Sequence, residues 1–559
     1  MRHAQASTCI SRHSALFSFF GKWKAMLNLH ALRFLLVGAL LATGLACAAP
    51  TPSEAVSLFE GRAHTDSDNP IDRAVFDQLK QQGIQPARVC PDHVFLRRAY
   101  LDVTGTLPTA AEAKAFLRSR SRRKRGALVE HLLAHPSFAD YWAMKWSDLL
   151  RVKAEFPIKL WPNAAQAYHR WIHDSIREHK PYDAFARELL TSTGSNFRVA
   201  PVNFYRALSS KEPESLAKGV ALTFMGVRLD KWPEKKQAEM AGIFSYVGFK
   251  GTSEWKEEII FFDHIKASTN AAAGTLHDGV FPDGSPARFS ADVDPRIQFA
   301  DWLITPENAW FTRNIANRVW YWLLGRGIIH EPDDIRPDNL PENARLLEVL
   351  QQELIGAKYD LRQLYRVILN SQAYQLSSVP ADKTAAASSS LASYSIRRLD
   401  AEVLIDALNQ ITGATDSYSS YIPEPFTYIP EECRSIMLPD GSITSPFLEM
   451  FGRPSRDTGM ELERSNAPTS AQRLHLLNSS HVYNKIINSK RLQAVIRSGR
   501  GKPERTASGL YLTILSRLPA DTELKKLEVY AKTGIAPGKE TYIDLAWALI
   551  NSAEFFYRH

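Results

Sequence analysis

Residues 295–339, PRIQFADWLITPENAWFTRNIANRVWYWLLGRGIIHEPDDIRPDN, decide how the rest of the chain reads. The segment 296–303 is short and amphipathic, and it stops at Thr305, Pro306 and Glu307. Thr305 is placed to cap a following helix, with Pro306 in its first turn. Phe311, Ile315, Val319 and Leu323 then recur at helical spacing, and Gly325 and Gly327 end the run. Beside that apolar stripe lie Arg313, Asn314, Asn317 and Arg318, and a turn-rich acidic segment, 331–339, follows. A second helix is predicted from Leu346, Leu347, Leu350 and Leu354, stopping at Gly356. A third opens at Asp360, with Gln363 placed to close a capping box and Leu361, Leu364, Tyr365, Ile368 and Leu369 on its buried side.

Working outward from this stretch, helical signals dominate. Asn69 and Pro70 start a helix carrying Val75, Phe76 and Leu79, and Pro91 starts the next. Thr109 with Glu112 forms a capping box. Further helices carry Tyr141, Trp142 and Trp146, then Trp171, Ile172 and Ile176, then Phe185, Leu189 and Leu190. Residues 250–295 hold turn signals and a β-leaning run at 258–262, enough for a small hairpin. The stretch 379–393 is rich in Ala and Ser and reads as a linker. Residues 414–460 show no clear period and read as a long loop, and the chain beyond 472 is helical. The fold class is therefore mainly α, multi-helical, with at most a small β-hairpin.

Hydrophobic content of 45% and charged content of 23% are ordinary for a globular protein. The formal net charge of +8 is concentrated at the start, where Arg2, Arg12, Lys22, Lys24 and Arg33 face no acid. Removing those five leaves 63 basic against 60 acidic residues, a balance of +3, so a general nucleic-acid surface is not implied. Lys22 and Lys24 precede an apolar run at 34–46 that ends in Ala46, Cys47 and Ala48. This is the layout of a secretory signal peptide spanning 1–48, with Met26 an alternative start. The run is short of the ~20 apolar residues of a membrane span. Lipid attachment at Cys47 is the alternative ending, disfavoured by Gly44 where such signals carry a larger aliphatic residue. The expected location is periplasmic or extracellular. After cleavage Cys90 and Cys433 remain, and export leaves open either a disulfide or two separate thiols.

The residues from 300 to 339 resemble the planctomycete-specific domain of unknown function found in secreted proteins of planctomycetes and verrucomicrobia. The match is carried by NRVW at 317–320, GRG at 325–327 and DDIR at 333–336. Upstream, RRAYLDVTG at 97–105, LPT at 107–109 and WAMKWSDLL at 142–150 resemble the cytochrome-associated domain that precedes it in those proteins. RSIMLPD at 434–440, FGRP at 451–454 and ELER at 461–464 extend the resemblance. Residues 49–69 are polar and read as a loose arm, and the resemblance implies a cytochrome-associated-type domain at 70–250, a connecting segment at 251–294 and a planctomycete-specific-type domain at 295–559. One departure matters. Many relatives carry a Cys-x-x-Cys-His-x-His-Pro motif after a segment like FMGVRL at 224–229, whereas here Asp230, Lys231, Trp232 and Pro233 follow. No Cys-x-x-Cys-His occurs anywhere in the chain, so no covalent haem and no other cofactor is expected.

Three groups of residues are candidates for function. Arg313, Asn317, Arg318, Asp333, Asp334 and Arg336 join a helix face to an acidic loop. They could bind a polar ligand, Arg offering a planar fork and Asp or Asn accepting hydroxyl protons; the competing reading is an ion-paired tie between loop and helix. Glu461 and Glu463, beside Arg464, offer the two carboxylates of a glycoside hydrolase, or else a solvated surface. Asp400 and Glu402 have a lesser claim of the same kind. Arg118, Arg120, Arg122, Arg123, Lys124 and Arg125 form a basic run suited to polyanions, or a solvated loop. His264, His277 and His330 have no partner at ligand spacing, so no metal is expected, and nucleophile-elbow and phosphate-loop motifs are absent. The leading reading is an accessory binding protein for anionic polysaccharide or an envelope partner protein. The alternative is a hydrolase or redox-associated enzyme built around Arg318, Asp334 and Glu463. Oligomeric state is not legible.

Overall fold

Phe311, Ile315, Val319 and Leu323 are buried along one seam of the helix Phe311–Leu324, which ends at Gly325 in the left-handed conformation, φ 82°. Its start differs from the expectation at Thr305. The hydroxyl of Thr305 donates to the Trp302 carbonyl, and Asn308 supplies the acceptor for the Trp310 and Phe311 amides at 3.0 and 3.2 Å. The helix therefore begins five residues later than a Thr-Pro signal suggests.

The computed structural model describes residues 58–65, 67–274, 279–382, 384 and 391–559. The signal sequence, Met26, Cys47, His277 and residues 383 and 385–390 of the Ala/Ser linker fall outside these residues. The protein is mainly α-helical. Helices Pro70–Gln81, Asp92–Val103 and Ala110–Arg118 open the described chain, and the Thr109–Glu112 capping box is formed at both of its hydrogen bonds. Pro136–Leu149, Pro162–Arg177 and Tyr182–Thr191 follow. Ala344–Gly356 and Leu361–Asn370 pack after the central helix, and Asp360 caps the latter through the Arg362 amide. In place of the box expected from Gln363, that side chain accepts from Arg366. The β-leaning run at 258–262 is the middle strand of a three-stranded antiparallel sheet, between Gly194–Ser195 and Val247–Gly251, with Ile260 opposite Phe249.

One hydrophobic core runs through residues Phe59–His559, which form a single compact unit. Its centre is aromatic: Trp322 of the central helix lies 5.3 Å from Trp142 and 5.7 Å from Trp146, ring centre to ring centre. The helix Ala401–Thr412 is buried on nearly every side. The chain end returns to the beginning. Tyr557–Arg558 pairs with Arg397–Arg398, while Arg97 donates to the Ile514 and Phe555 carbonyls and Arg98 to those of Tyr374, Leu376 and His559. The 414–460 loop is held by short helical turns at Ser435–Met437 and Pro446–Met450. Among the described residues no helix is long and apolar enough to cross a membrane.

Candidate functional site

The helix Phe311–Leu324 is enclosed on its polar side as well as its apolar one. Asn317 donates to the Ile329 carbonyl at 2.9 Å and accepts from the Ile329 amide at 2.8 Å, closing the turn after Gly327. Arg318 is fully buried and donates to Asp333 at 2.9 Å and to Glu461 at 3.2 Å. Glu461 also accepts from the Trp322 indole at 2.6 Å, and its own amide donates to Asp333 at 2.7 Å. Burial pushes the Glu461 carboxyl up, opposed by Arg318, and the two acids hold the Arg318 guanidinium above its usual range against the burial that would lower it. This trio ties the 331–339 loop and the 461–464 turn to the central helix. Asp334 instead pairs with Arg336 at 3.2 Å, and Arg313 is half-buried at the helix edge.

The two carboxylates of ELER do not face each other across a hollow. Glu463 accepts from the Asp457 and Thr458 amides and the Thr458 hydroxyl, folding the 455–458 turn. Burial raises its pKa, but the hydrogen bonds outweigh that and hold it below the usual carboxylate range. Arg464 is buried between Asp148 and Glu402, with contacts of 2.6 and 2.7 Å. Asp400, far from solvated, sits among Lys145, Arg464 and Arg558. Asp102 accepts from Arg397 and Arg558 at one oxygen and from the Tyr374 and Tyr394 hydroxyls at the other. These ion pairs join side chains from 62 to 456 residues apart in sequence, and their carboxylates and guanidinium groups are committed to one another.

The basic run divides in two. Lys124 pairs with Asp92 at 2.7 Å and donates to the Phe116 and Ser119 carbonyls, closing the end of the helix Ala110–Arg118. Arg125 bonds Asp92, Gln375 and the Cys90 carbonyl. Arg118, Arg120, Arg122 and Arg123 are exposed and have no ion-pair partner among the described residues. Cys90 and Cys433 are both free thiols. No cluster of three or more metal-ligating side chains occurs among the described residues.

The hollow that the sequence reading missed lies between the helix Ala401–Thr412 with its following loop and the 100–112 and 135–137 segments. It encloses about 400 Å³. Asp406 is buried in its wall and accepts the Ser435 and Ile436 amides at 2.8 and 3.2 Å. Burial pushes its carboxyl up to about 6, opposed by Arg434 at 3.7 Å. Arg434 donates to the Ser137 hydroxyl from the facing segment at 3.0 Å. Burial, then the nearby Asp406 charge, pushes the Cys433 thiol up to about 11, which leaves it protonated and unreactive near neutrality. Burial and the neighbouring His131 lower the His135 pKa. An acid inside the strongly apolar stretch VLIDALNQI, 403–411, was the available signal for Asp406.

Two family models match the chain in tandem. One is described as PSCyt2, a protein of unknown function (DUF1549), and covers residues 70–237; the other, PSD1, a protein of unknown function (DUF1553), covers 295–531. No curated protein and no solved structure matches the chain.

Proposed function

We propose, for a chain that carries the two planctomycete-type domains PSCyt2 and PSD1 in that order, the role of an exported accessory protein that binds anionic polysaccharide at the cell envelope. One observation carries this reading: Arg118, Arg120, Arg122 and Arg123 are exposed and free of ion-pair partners among the described residues, at the end of the helix Ala110–Arg118 and on the loop after it, whose far end is anchored by Lys124 and Arg125. A cluster of unneutralised guanidinium groups attracts polyanions, and fixing the loop lowers the ordering cost of binding. Polysaccharide is favoured over nucleic acid because the signal-like N-terminus directs the chain out of the cytoplasm and the remaining charge is nearly balanced. The enzyme alternative loses its support, because Arg318, Asp334 and Glu463 have separate structural partners rather than a shared hollow.

The test uses protein recovered from the native envelope, with its first residue read by N-terminal sequencing and a start near Ala49 expected. It should be retained on immobilised heparin at low salt and released as salt rises, since exposed charges are screened over about 8 Å at physiological ionic strength. Replacing Arg118, Arg120, Arg122 and Arg123 with Ser should abolish retention. Equal retention of variant and wild type would refute the loop as the binding surface, and an uncleaved Met1 or Met26 would refute export.

A further inference from the structure

The 400 Å³ hollow beside Asp406 does not stand alone. Ala414, Thr415 and Arg491 also line a second, more open hollow of about 710 Å³, so the two form one trough along the loop that follows the helix Ala401–Thr412. A volume of this order suits a ligand of several rings, and an elongated trough suits a chain.

The hydrogen bonds along the trough show what such a ligand has to bring. Most of its acids are already satisfied: Asp406 by two backbone amides, Glu112 by the Thr109 amide and hydroxyl, and Asp416 by His481 at 2.7 Å and Lys485 at 2.9 Å. Lys485 is also committed, its remaining protons going to Asn409 and the Thr415 carbonyl. The cations with donors left over are Arg434, which makes one hydrogen bond to Ser137 and faces Asp406 at 3.7 Å through its Nε, and Arg491, which makes one to the Gln410 carbonyl. Lys490 on the outer hollow is exposed with no ion-pair partner among the described residues. The ligand must therefore supply negative acceptors at intervals. Glu432, exposed on the same wall and equally unpaired among the described residues, adds the opposite demand. A ligand with hydroxyl donors can satisfy it, whereas a densely sulfated or phosphorylated one meets repulsion. Planar guanidinium forks also match carboxylates in a bidentate geometry.

We propose that this trough binds a short oligouronide, its carboxylates held by Arg434 and Arg491 and its hydroxyls by Glu432. The proposal rests on the polysaccharide reading for the class of polymer and on different residues for the contact. The arginine loop gathers long polyanions by charge, and the trough selects a carboxylated sugar unit.

The experiment is calorimetric titration of the mature full-length protein with trigalacturonate, with neutral maltotriose as the control. Wild type should bind the trimer and not maltotriose. Arg434→Gln and Arg491→Gln should each weaken trimer binding at least tenfold while heparin retention stays unchanged. Ala414→Trp, which narrows the neck between the hollows and leaves every cation in place, should weaken it as well. The four-serine loop variant should keep full trimer affinity and lose heparin retention, so the two readings fail separately. Wild type that ignores the trimer, trimer affinity unchanged in folded R434Q and R491Q, or maltotriose binding as tightly as the trimer would each overturn the proposal. Should the arginine variants fail to fold, unchanged trimer affinity in Ala414→Trp would overturn it instead.

Discussion

Replacing Asp102 with Asn tests whether the two matched segments behave as one cooperative body. Asp102 belongs to the helix Asp92–Val103 and is fully buried. One oxygen accepts from Arg558 at 3.0 Å and Arg397 at 3.1 Å, and the other accepts from the Tyr374 and Tyr394 hydroxyls, both at 2.9 Å. All four donors lie more than 270 residues away. The amide keeps an oxygen for the two arginines, but its NH₂ cannot accept, so both tyrosine hydroxyls lose the acceptor for their protons. The charge that neutralised two buried guanidinium groups is also lost. Arg558 retains Asp400 at 2.9 Å, which limits the damage. Removing one partner of a buried ion pair costs about 3–5 kcal/mol. Unfolding entropy for about 500 residues is on the order of 1 kcal/mol/K, so Tm should fall by roughly 3–5 °C. Differential scanning calorimetry should show a single endotherm for wild type and a single, earlier one for the variant. A shift below about 1 °C would refute the assigned role of Asp102, and two separated endotherms in wild type would refute the shared core.

Two further outcomes follow from side chains already placed. Arg125→Ser should destabilise the protein by about 1.5–3 kcal/mol in a denaturant titration, because it removes charge-assisted bonds to Asp92, Gln375 and the Cys90 carbonyl. Arg122→Ser, three residues away in chain order but solvated, should change stability by less than about 0.5 kcal/mol; equal losses from the two would contradict the division of the basic run. The Asp406 carboxyl, raised from 3.8 to about 6, ionises in the unfolded chain before it does in the folded one. Its burial therefore costs nothing below pH 3.8 and costs about 3 kcal/mol above pH 6, so stability falls as pH rises through that window. Wild type should lose stability relative to Asp406→Asn between those pH values, and a pH-independent difference would show that the carboxyl is not perturbed.

The helical stripe at 311–323 and the Thr109–Glu112 capping box were legible because each is a local pattern, fixed by spacing within a few residues. The environment of Arg318 was not. Its neighbours Asn314 and Asn317 reach the Thr223 and Ile329 carbonyls, and Arg318 itself reaches Glu461, 143 residues on. An apolar seam identifies one buried face of a helix and is silent on whether the opposite face is covered by distant chain. The basic run shows the same limit at shorter range, since Asp92, 33 residues before Arg125, decides which cations are structural. Asp406 was overlooked because an acid one turn after Glu402 in an otherwise apolar helix reads as part of a polar face. Its significance comes from the hollow that the 432–434 segment closes over it.

The grip of Arg97 and Arg98 on the chain's last carbonyls bears on how the protein matures. Their acceptors at Phe555 and His559 lie 458 and 461 residues downstream. Loop closure over such a separation is slow relative to local helix formation. During vectorial synthesis, at ~5–20 residues per second, the helix Asp92–Val103 waits on the order of half a minute for the partners of its two arginines. Until then Arg97 lacks its Phe555 acceptor and Arg98 its His559 acceptor, whereas the Tyr374, Leu376 and Ile514 carbonyls are made earlier. A variant truncated before Phe555 loses two of the five carbonyls that Arg97 and Arg98 grip, at Phe555 and His559, and keeps those of Tyr374, Leu376 and Ile514.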